Sequence, residues 1–253
     1  MSIVFINPCR YDPDAEDYIN RVIAADVAAG NTSGLEVGMQ DAINAFVLSC
    51  KSDGIWPAIK ASCILAGART LAGALVPLVG DAPTNVGGNF VDGDYNRETG
   101  LKGDGSTKYL NSNRNNDDDP ANNSHTSIFV SEQNPALTQF FVGADPEIAI
   151  VSSNLTMKRH SSRVAVGSPA TGFVGSSRND PSQFTSRLNG ATGTHSAATS
   201  TVPGSPIYLF AGSPSLINST ARLSFYSIGE SLDLALLDAR VTTLMSDLAA
   251  AIP

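Results

Sequence analysis

Cysteine and basic residues are scarce in this 253-residue chain. Its three cysteines, Cys9, Cys50 and Cys63, are an odd number without paired spacing. No disulfide framework is therefore predicted, and we expect small buried side chains in a reducing cytoplasm. Lysine and arginine total 16 against 24 acidic residues, which gives a net charge of -8. Because nucleic-acid binding depends on clustered basic side chains, the composition argues against nucleic acid as a partner.

The sequence also lacks the pattern of a secretory leader and that of a membrane span. The first ten residues, MSIVFINPCR, have no basic n-region and reach Pro8 too early for a signal peptide, so we interpret them as an ordered N-terminal arm. The run from Ala61 to Gly80 has the length of a span, but Arg69 lies at its centre, where a charge costs roughly 2.5 to 3.5 kcal/mol. We therefore predict a buried element rich in small residues and no membrane insertion.

No catalytic set stands out in the sequence. Jelly-roll glycosidases need two or three carboxylates that alternate on one strand, whereas Glu147 stands alone in its predicted strand. His125, His160 and His195 lie in Ser-rich stretches without a nucleophile elbow, and we interpret them as solvated loop or strand-edge residues. The segment GLKGDGSTK has the wrong spacing for a phosphate loop and leads into a strand. The sequence predicts a protein that is not an enzyme.

Helical periodicity dominates the first 80 residues. Apolar residues fall on one face from Asp14 to Ala29 and again from Leu35 to Lys51. A cluster of Gly, Asn, Ser and Thr separates these two predicted helices. Trp56, the only tryptophan, is interpreted as a core anchor between them. The pattern predicts an N-terminal helical region over residues 1–80.

Short apolar runs separated by Gly, Pro, Asn, Asp and Ser follow from residue 81 onward. This rhythm is typical of an antiparallel β-sandwich, which we predict over residues 81–230. The runs predicted as strands are 90–91, 107–110, 127–130, 139–142, 147–151, 163–166, 206–211 and 221–228.

The C-terminal segment changes from strand to helix within a few residues. Apolar residues alternate from Ala221 to Ile228, Gly229 ends the strand, and Ser231 or Asp233 can cap a helix. The helix predicted over residues 231–253 carries an apolar stripe of Leu234, Leu237, Val241, Leu244 and Leu248. We expect the N-terminal helical region to cover this stripe, in the same subunit or the next, and identify it as a candidate assembly surface.

Four segments carry a family resemblance: DGIWPAIKASCILAGARTLAGALVPLVGDAPTN, DYNRETGLKGDGSTKYLNSN, GFVGSSRNDPSQFTSRLNG and ARLSFYSIGESLDLALLDARVTTLM. Together they resemble virion structural proteins of tailed phages, of the marine, cyanophage-like kind, that contain a concanavalin A-like, laminin G-type jelly roll. The resemblance covers nearly the whole chain. It implies a mainly β protein with helices: an antiparallel β-sandwich plus an N-terminal helical region and a C-terminal helix. It also implies a central hairpin that ends at the Asn189-Gly190 turn, a pair that favours positive φ.

The resemblance further implies a non-enzymatic bacteriophage virion protein, in a tail fibre or another appendage, with a lectin-like jelly roll. A host-glycan-binding recognition module and a head-decoration protein of the capsid are the alternatives. The expected partners are other virion proteins and copies of the same chain in a homotrimer, with no cofactor, and the chain is made in the host cytoplasm. For stacking on a sugar, the candidate aromatic residues are Tyr95, Tyr109 and Phe184.

A run of acidic residues suggests a metal site. Asp117, Asp118 and Asp119 lie among asparagines, and hard oxygen ligands of this kind suit Ca²⁺, which many laminin G-like domains hold near a ligand-binding rim. The three residues are contiguous, however, and lack the alternation of a calcium loop. A run of Asp and Asn before Pro120 is also typical of a solvated loop, which the sequence favours over calcium.

Overall fold

The computed structural model describes residues 11–143, 145–202, 204–213 and 218–253. Its helices are α1 (Pro13–Ala28), α2 (Val37–Ser52), the short α3 (Leu71–Ala74) and α4 (Leu234–Ala251). None of these described helices combines the length and the apolar character needed to cross a bilayer. The predicted N-terminal arm, with Cys9, lies outside the described residues.

Fifteen strands in the described part of the chain form two antiparallel sheets. They are β1 (Ile59–Ile64), β2 (Thr84–Asn85), β3 (Tyr95–Asn96), β4 (Gly100–Lys102), β5 (Leu110–Asn115), β6 (Ser124–Glu132), β7 (Gln139–Gly143), β8 (Glu147–Val151), β9 (Asn154–Lys158), β10 (Val164–Gly167), β11 (Gly172–Arg178), β12 (Gln183–Leu188), β13 (Ala191–Ser196), β14 (Pro206–Leu209) and β15 (Arg222–Gly229). Sheet A has the order β13-β12-β11-β6-β15-β4-β3, with β1 also paired to β15. Sheet B has the order β10-β9-β8-β7-β14-β5-β2.

Apolar side chains from both sheets fill the space between them. Because successive side chains of a strand point to opposite faces, every second residue of the central strands enters this core. Fully buried members include Ile128, Leu223 and Tyr226 from sheet A and Ile148, Met157 and Leu209 from sheet B. The fold class predicted from the sequence, a mainly β protein with an antiparallel sandwich and added helices, is confirmed.

The helices cover the outer face of sheet A. Phe46 of α2 packs edge-on against Phe225 of β15, with ring centroids 5.9 Å apart. Phe225 belongs to the same apolar cluster as the helical residues Tyr18, Val22 and Val241. A strand such as β15 is therefore buried on both faces, by sheet B on one side and by the helices on the other.

The apolar stripe of α4 lies inside this layer. The helix packs against α2 and β11 of the same chain. Its five stripe residues are each at most 4% exposed: Leu234, Leu237, Val241, Leu244 and Leu248. The expected cover by the N-terminal helical region is confirmed, since α2 packs on the stripe within the same chain. The further prediction that the stripe is an assembly surface is wrong, because its five side chains are already buried.

The predicted boundary at residue 80 does not separate a helical part from a β part. Strand β1 belongs to the predicted N-terminal helical region, yet it pairs along β15 with Cys63 opposite Tyr226. Asp26 of α1, which is 1% exposed, accepts hydrogen bonds from the backbone N–H groups of Arg69 and Thr70, both at 2.9 Å. The run from residue 61 to residue 80 is thus a buried strand and a short helix held to α1.

One predicted strand is absent from the described structure and another begins later than predicted, each for a local reason. The side chain of Asn85 binds both the N–H and the C=O of Phe90, at 3.1 and 2.9 Å, which holds this residue in a loop. The carboxylate of Asp104 accepts the N–H groups of Thr107 and Lys108 at 2.8 and 3.0 Å, so residues 104–108 form a turn and β5 begins only at Leu110.

Two local features predicted from the sequence, a helix cap and a tight turn, are confirmed. Asp233 caps α4, since its carboxylate accepts the N–H of Ala235 at 2.8 Å. Asn189 and Gly190, with φ of 41° and 94°, form the tight turn between β12 and β13.

Candidate functional site

One part of the outer face of sheet B is open. Leu110 and Leu209 are fully buried in the core between the sheets, so their strand neighbours Asn111 and Tyr208 point outward. Tyr109, just before β5, packs partly against this core and contacts the ring of Tyr208. All three side chains are only half-buried. Strands β14, β5 and β2 therefore present aromatic and polar groups at the surface.

Two tyrosines form the centre of this surface. The rings of Tyr109 and Tyr208 meet edge to face, with centroids 5.7 Å apart and an interplanar angle of 78°. In the strand register Tyr208 lies opposite Asn111, which places Tyr109 on the diagonal. The mutual contact holds each ring in one orientation while part of it stays accessible.

Amide and hydroxyl groups adjoin the rings. The side-chain oxygen of Asn111 accepts the N–H of Asn113 at 2.9 Å. The side chain of Asn113 donates to the C=O of Ala82 at 2.7 Å and contacts the hydroxyl of Thr84. We call the set of Tyr109, Tyr208, Asn111, Asn113 and Thr84 the tyrosine patch. Ring faces beside fixed polar groups can stack on the apolar side of a sugar and bind its hydroxyls.

The three aromatic residues predicted from the sequence are not brought together. Tyr95 lies on β3 of sheet A, where its hydroxyl donates to the C=O of Ala68 at 2.8 Å, and burial raises the pKa of this phenol well above its usual value. Phe184 on β12 is 1% exposed and packs against His195 and Arg178. Phe184 is thus a core residue, and its proposed role as an exposed stacking platform is wrong. Of the three, Tyr109 alone lies on the open face.

Tyr208 was missed by the sequence reasoning. It stands between Ile207 and Leu209 in a predicted strand, and both neighbours enter the core. A tyrosine between two inward apolar residues must point outward, so the alternation contained the signal. Its pairing with Tyr109, almost a hundred residues earlier in the chain, was not visible in the sequence.

The three consecutive aspartates do not form a common site. Asp119 is buried and forms a two-pronged ion pair with Arg114, with distances of 2.9 and 2.6 Å. Asp118 accepts the N–H of Asn115 at 2.8 Å, and Asp117 and Asp118 are exposed. Within the described ranges, no group of three or more His, Cys, Asp or Glu side chains is placed to hold a metal ion.

A cleft of about 440 Å³ opens at the start of α4. Its polar lining consists of Ser177, Asn179, Thr185, Thr192, Ser231 and Asp233. Three of these groups already have backbone partners: Asp233 caps the helix, the Ser177 hydroxyl binds both the N–H and the C=O of Leu232, at 3.2 and 3.1 Å, and the Thr185 hydroxyl donates to the C=O of Ser177 at 3.2 Å. With no aromatic side chain in its lining, this cleft is a weaker candidate for sugar than the tyrosine patch.

Two histidines are buried, contrary to the sequence interpretation. His125 is fully buried in β6, with Nδ1 2.6 Å from the C=O of Glu230 and Nε2 2.8 Å from the hydroxyl of Ser227. His160 is 1% exposed. Burial, followed by nearby arginine charges, lowers the pKa of both imidazoles to about 3. The prediction of solvated histidines is therefore wrong for these two, while His195 lies half-buried on the edge strand β13.

Two of the buried acidic side chains, Glu147 and Asp238, pair with arginines. Glu147, which stood alone in its predicted strand, forms a two-pronged pair with Arg163 at 2.5 and 2.7 Å. Asp238 on α4 accepts from Arg187 on β12 at 2.8 Å. These pairs neutralise each carboxylate and tie strands and helices together.

No protein-family model and no curated protein matches the chain. Among solved structures, the botulinum neurotoxin serotype D binding domain is similar at 14% identity and a TM-score of 0.47, over 77% of this chain and 52% of that one. A Trypanosoma rangeli sialidase is similar at 12% identity and a TM-score of 0.44, over 84% of this chain and 40% of that one. This chain thus spans about half the length of these two proteins, or less. Likenesses of this size say nothing about function.

Proposed function

We propose that the chain is a non-enzymatic structural protein of a tailed-phage particle, in a tail fibre or another appendage, and that its β-sandwich binds glycan on the host surface. The four family-like sequence segments support the placement on a phage. The observation that carries the binding function is the tyrosine patch on the open part of sheet B. A protein on an appendage is well placed to display such a face.

The chemistry of the patch fits a sugar. The carbon-bound hydrogens of a pyranose form an apolar face that packs on an aromatic ring, while its hydroxyls bind amides. Tyr109 and Tyr208 supply the rings, and Asn111 and Asn113 lie beside them with side chains already held by backbone groups. Because the rings are held in place before binding, less side-chain freedom is lost on association.

The buried carboxylates support a non-enzymatic function. Glycosidases keep one carboxyl protonated and a second one ionised in an open cleft. Here Glu147 is held by Arg163, and Asp119 by Arg114, in two-pronged ion pairs. Both carboxylates are occupied by these ion pairs, which suits them to stabilise the fold.

Binding of the purified chain to an array of bacterial surface oligosaccharides and lipopolysaccharides tests the glycan function. Tyr208→Ala and Tyr109→Ala should each weaken binding at least tenfold, because a buried aromatic contact contributes about 1.5 to 3 kcal/mol. Tyr208→Phe retains the ring and should bind within about threefold of the unchanged chain, a difference of about 0.7 kcal/mol. Leu48→Ala on the exposed side of α2 is the distant control.

The glycan function would be overturned if the unchanged chain bound no glycan on the array, or if both alanine variants still bound as well as the unchanged chain. The placement on the particle is tested separately, by immunogold labelling of intact virions and electron microscopy. Label on tails supports the appendage, and label on heads supports the head-decoration alternative.

Trimer formation is part of the proposal and needs a surface other than the α4 stripe. Strand β13 forms an edge of sheet A and is paired there with β12 alone among the described strands. An edge strand offers backbone N–H and C=O groups to another chain. Light scattering should give the mass of three chains, and a monomer at micromolar concentration would contradict the trimer.

A further inference from the structure

One end of the sandwich contains two almost fully buried arginines. Arg159 follows β9 and is 1% exposed, and Arg178 ends β11 and is 0% exposed. The Nε of Arg159 reaches across from sheet B to the hydroxyl of Ser176 on sheet A, at 3.2 Å. Arg178 donates at 2.9 Å to three carbonyl groups, those of Arg159, Asp180 and Ala197. Neither of these arginines uses a carboxylate as its hydrogen-bond acceptor.

The acidic side chains at the same end are already engaged. Asp119 is held by Arg114 in a two-pronged pair. Asp145 pairs with Lys158 at 2.9 Å, and its other oxygen accepts the backbone N–H of residue 160 at 3.0 Å. Throughout the described ranges, no carboxylate oxygen lies within 4.0 Å of the nitrogens of Arg159 or Arg178. This end of the core thus encloses positive charge that lacks a contacting counter-charge.

Enclosed hydrogen-bonding atoms without partners occur on Arg159 itself and on nearby segments of the two sheets. They are Nη2 of Arg159, Nδ2 of Asn116, Nδ1 of His160 and the hydroxyl of Ser124. Asn116 directly follows β5, and Ser124 opens β6 opposite Arg178. The guanidinium and amide nitrogens can only donate. What they lack is therefore an acceptor.

We propose that this end of the sandwich binds one small inorganic anion, of the size and charge of chloride, with Nη2 of Arg159 as its main donor. An anion accepts several hydrogen bonds at once and also balances one of the two buried positive charges, whereas a water molecule supplies the bonds without the charge. The enclosure of the Arg159 nitrogen restricts the occupant to a small ion. The local field agrees, since the pKa of His160 is lowered to about 3 by burial and then by the charges of Arg159 and Arg178.

Thermal unfolding in sodium chloride and in sodium gluconate, at equal ionic strength, tests the site. Gluconate is too large to enter, so chloride alone should raise Tm, saturably and by about 4 °C. Arg159→Gln should abolish this difference between the salts. Arg240→Gln removes a half-buried arginine on α4 that is paired with Asp53, and should leave the difference between the salts unchanged.

Crystals grown in sodium bromide give a readout that does not depend on a variant that folds. An anomalous bromide peak within hydrogen-bonding distance of Nη2 of Arg159 is the expected result. Equal melting in both salts together with no such peak would overturn the proposal and assign the unpartnered donors to buried water.

Discussion

Replacing Leu237 by alanine distinguishes a core helix from an assembly helix. This side chain is fully buried in the layer where α4 packs against α2 and β11. Truncation of a buried leucine removes its packing and leaves a cavity, at a typical loss of about 3 kcal/mol from the free energy of unfolding. For a chain of this size, that corresponds to a Tm lower by about 6 to 12 °C.

Leu48→Ala on α2 is the matched control, because Leu48 is 47% exposed. Its effect should stay within about 0.5 kcal/mol. Urea unfolding followed by circular dichroism should show a lower midpoint for Leu237→Ala at an unchanged slope. Light scattering should give the same mass for both variants. A Leu237→Ala chain with unchanged stability but a smaller assembly would refute the intramolecular role of the stripe.

Asp26→Ala should lower the free energy of unfolding by about 2 to 4 kcal/mol in urea titrations, because Arg69 and Thr70 lose a buried acceptor. The control Asp17→Ala, at an exposed ion pair, should change it by less than about 1 kcal/mol. Equal effects of the two substitutions would contradict this account. Stability should fall as the pH is lowered from about 6.5 to 5, since His125 and His160, with a pKa of about 3 when folded, take up protons in this range only after unfolding. The slope should approach two protons, about 2.7 kcal/mol per pH unit, and a flat profile would argue against buried neutral imidazoles. Millimolar calcium acetate should give no binding heat and no change in Tm, because Arg114 occupies the carboxylate of Asp119; a saturable heat would restore the calcium site.

Sequence periodicity predicted the elements whose signals are local. The two N-terminal helices, the cap at Asp233 and the turn at Asn189 and Gly190 each depend on residues within one or two turns of chain. The sandwich followed from alternation and from the spacing of turn residues. These elements form as predicted because tertiary contacts reinforce the local preferences of the chain.

Burial of the polar strand residues was not predictable in the same way. Strand β6 contains Ser, His and Thr, a composition typical of a solvated strand, yet most of it is buried. Its inner face meets sheet B and its outer face meets the helical layer. The paired strand β15 and the residue after it supply the Ser227 and Glu230 groups that bind His125. Elements distant in the chain decide which face of a strand is covered. The sequence alone therefore predicts an exposed His125.

Coverage of sheet A by the helices also decides which surface can serve a partner. With α2 and α4 packed on sheet A, an outward residue of a strand such as β11 or β15 becomes core, as Phe225 shows. The same alternation on β14 leaves Tyr208 half-exposed, because none of the helices α1 to α4 makes extensive contact with β14. The helical layer therefore does not itself present the assembly stripe expected of it. By burying one sheet face, it leaves part of the other open, and the tyrosine patch there is where the proposed glycan binding can be tested.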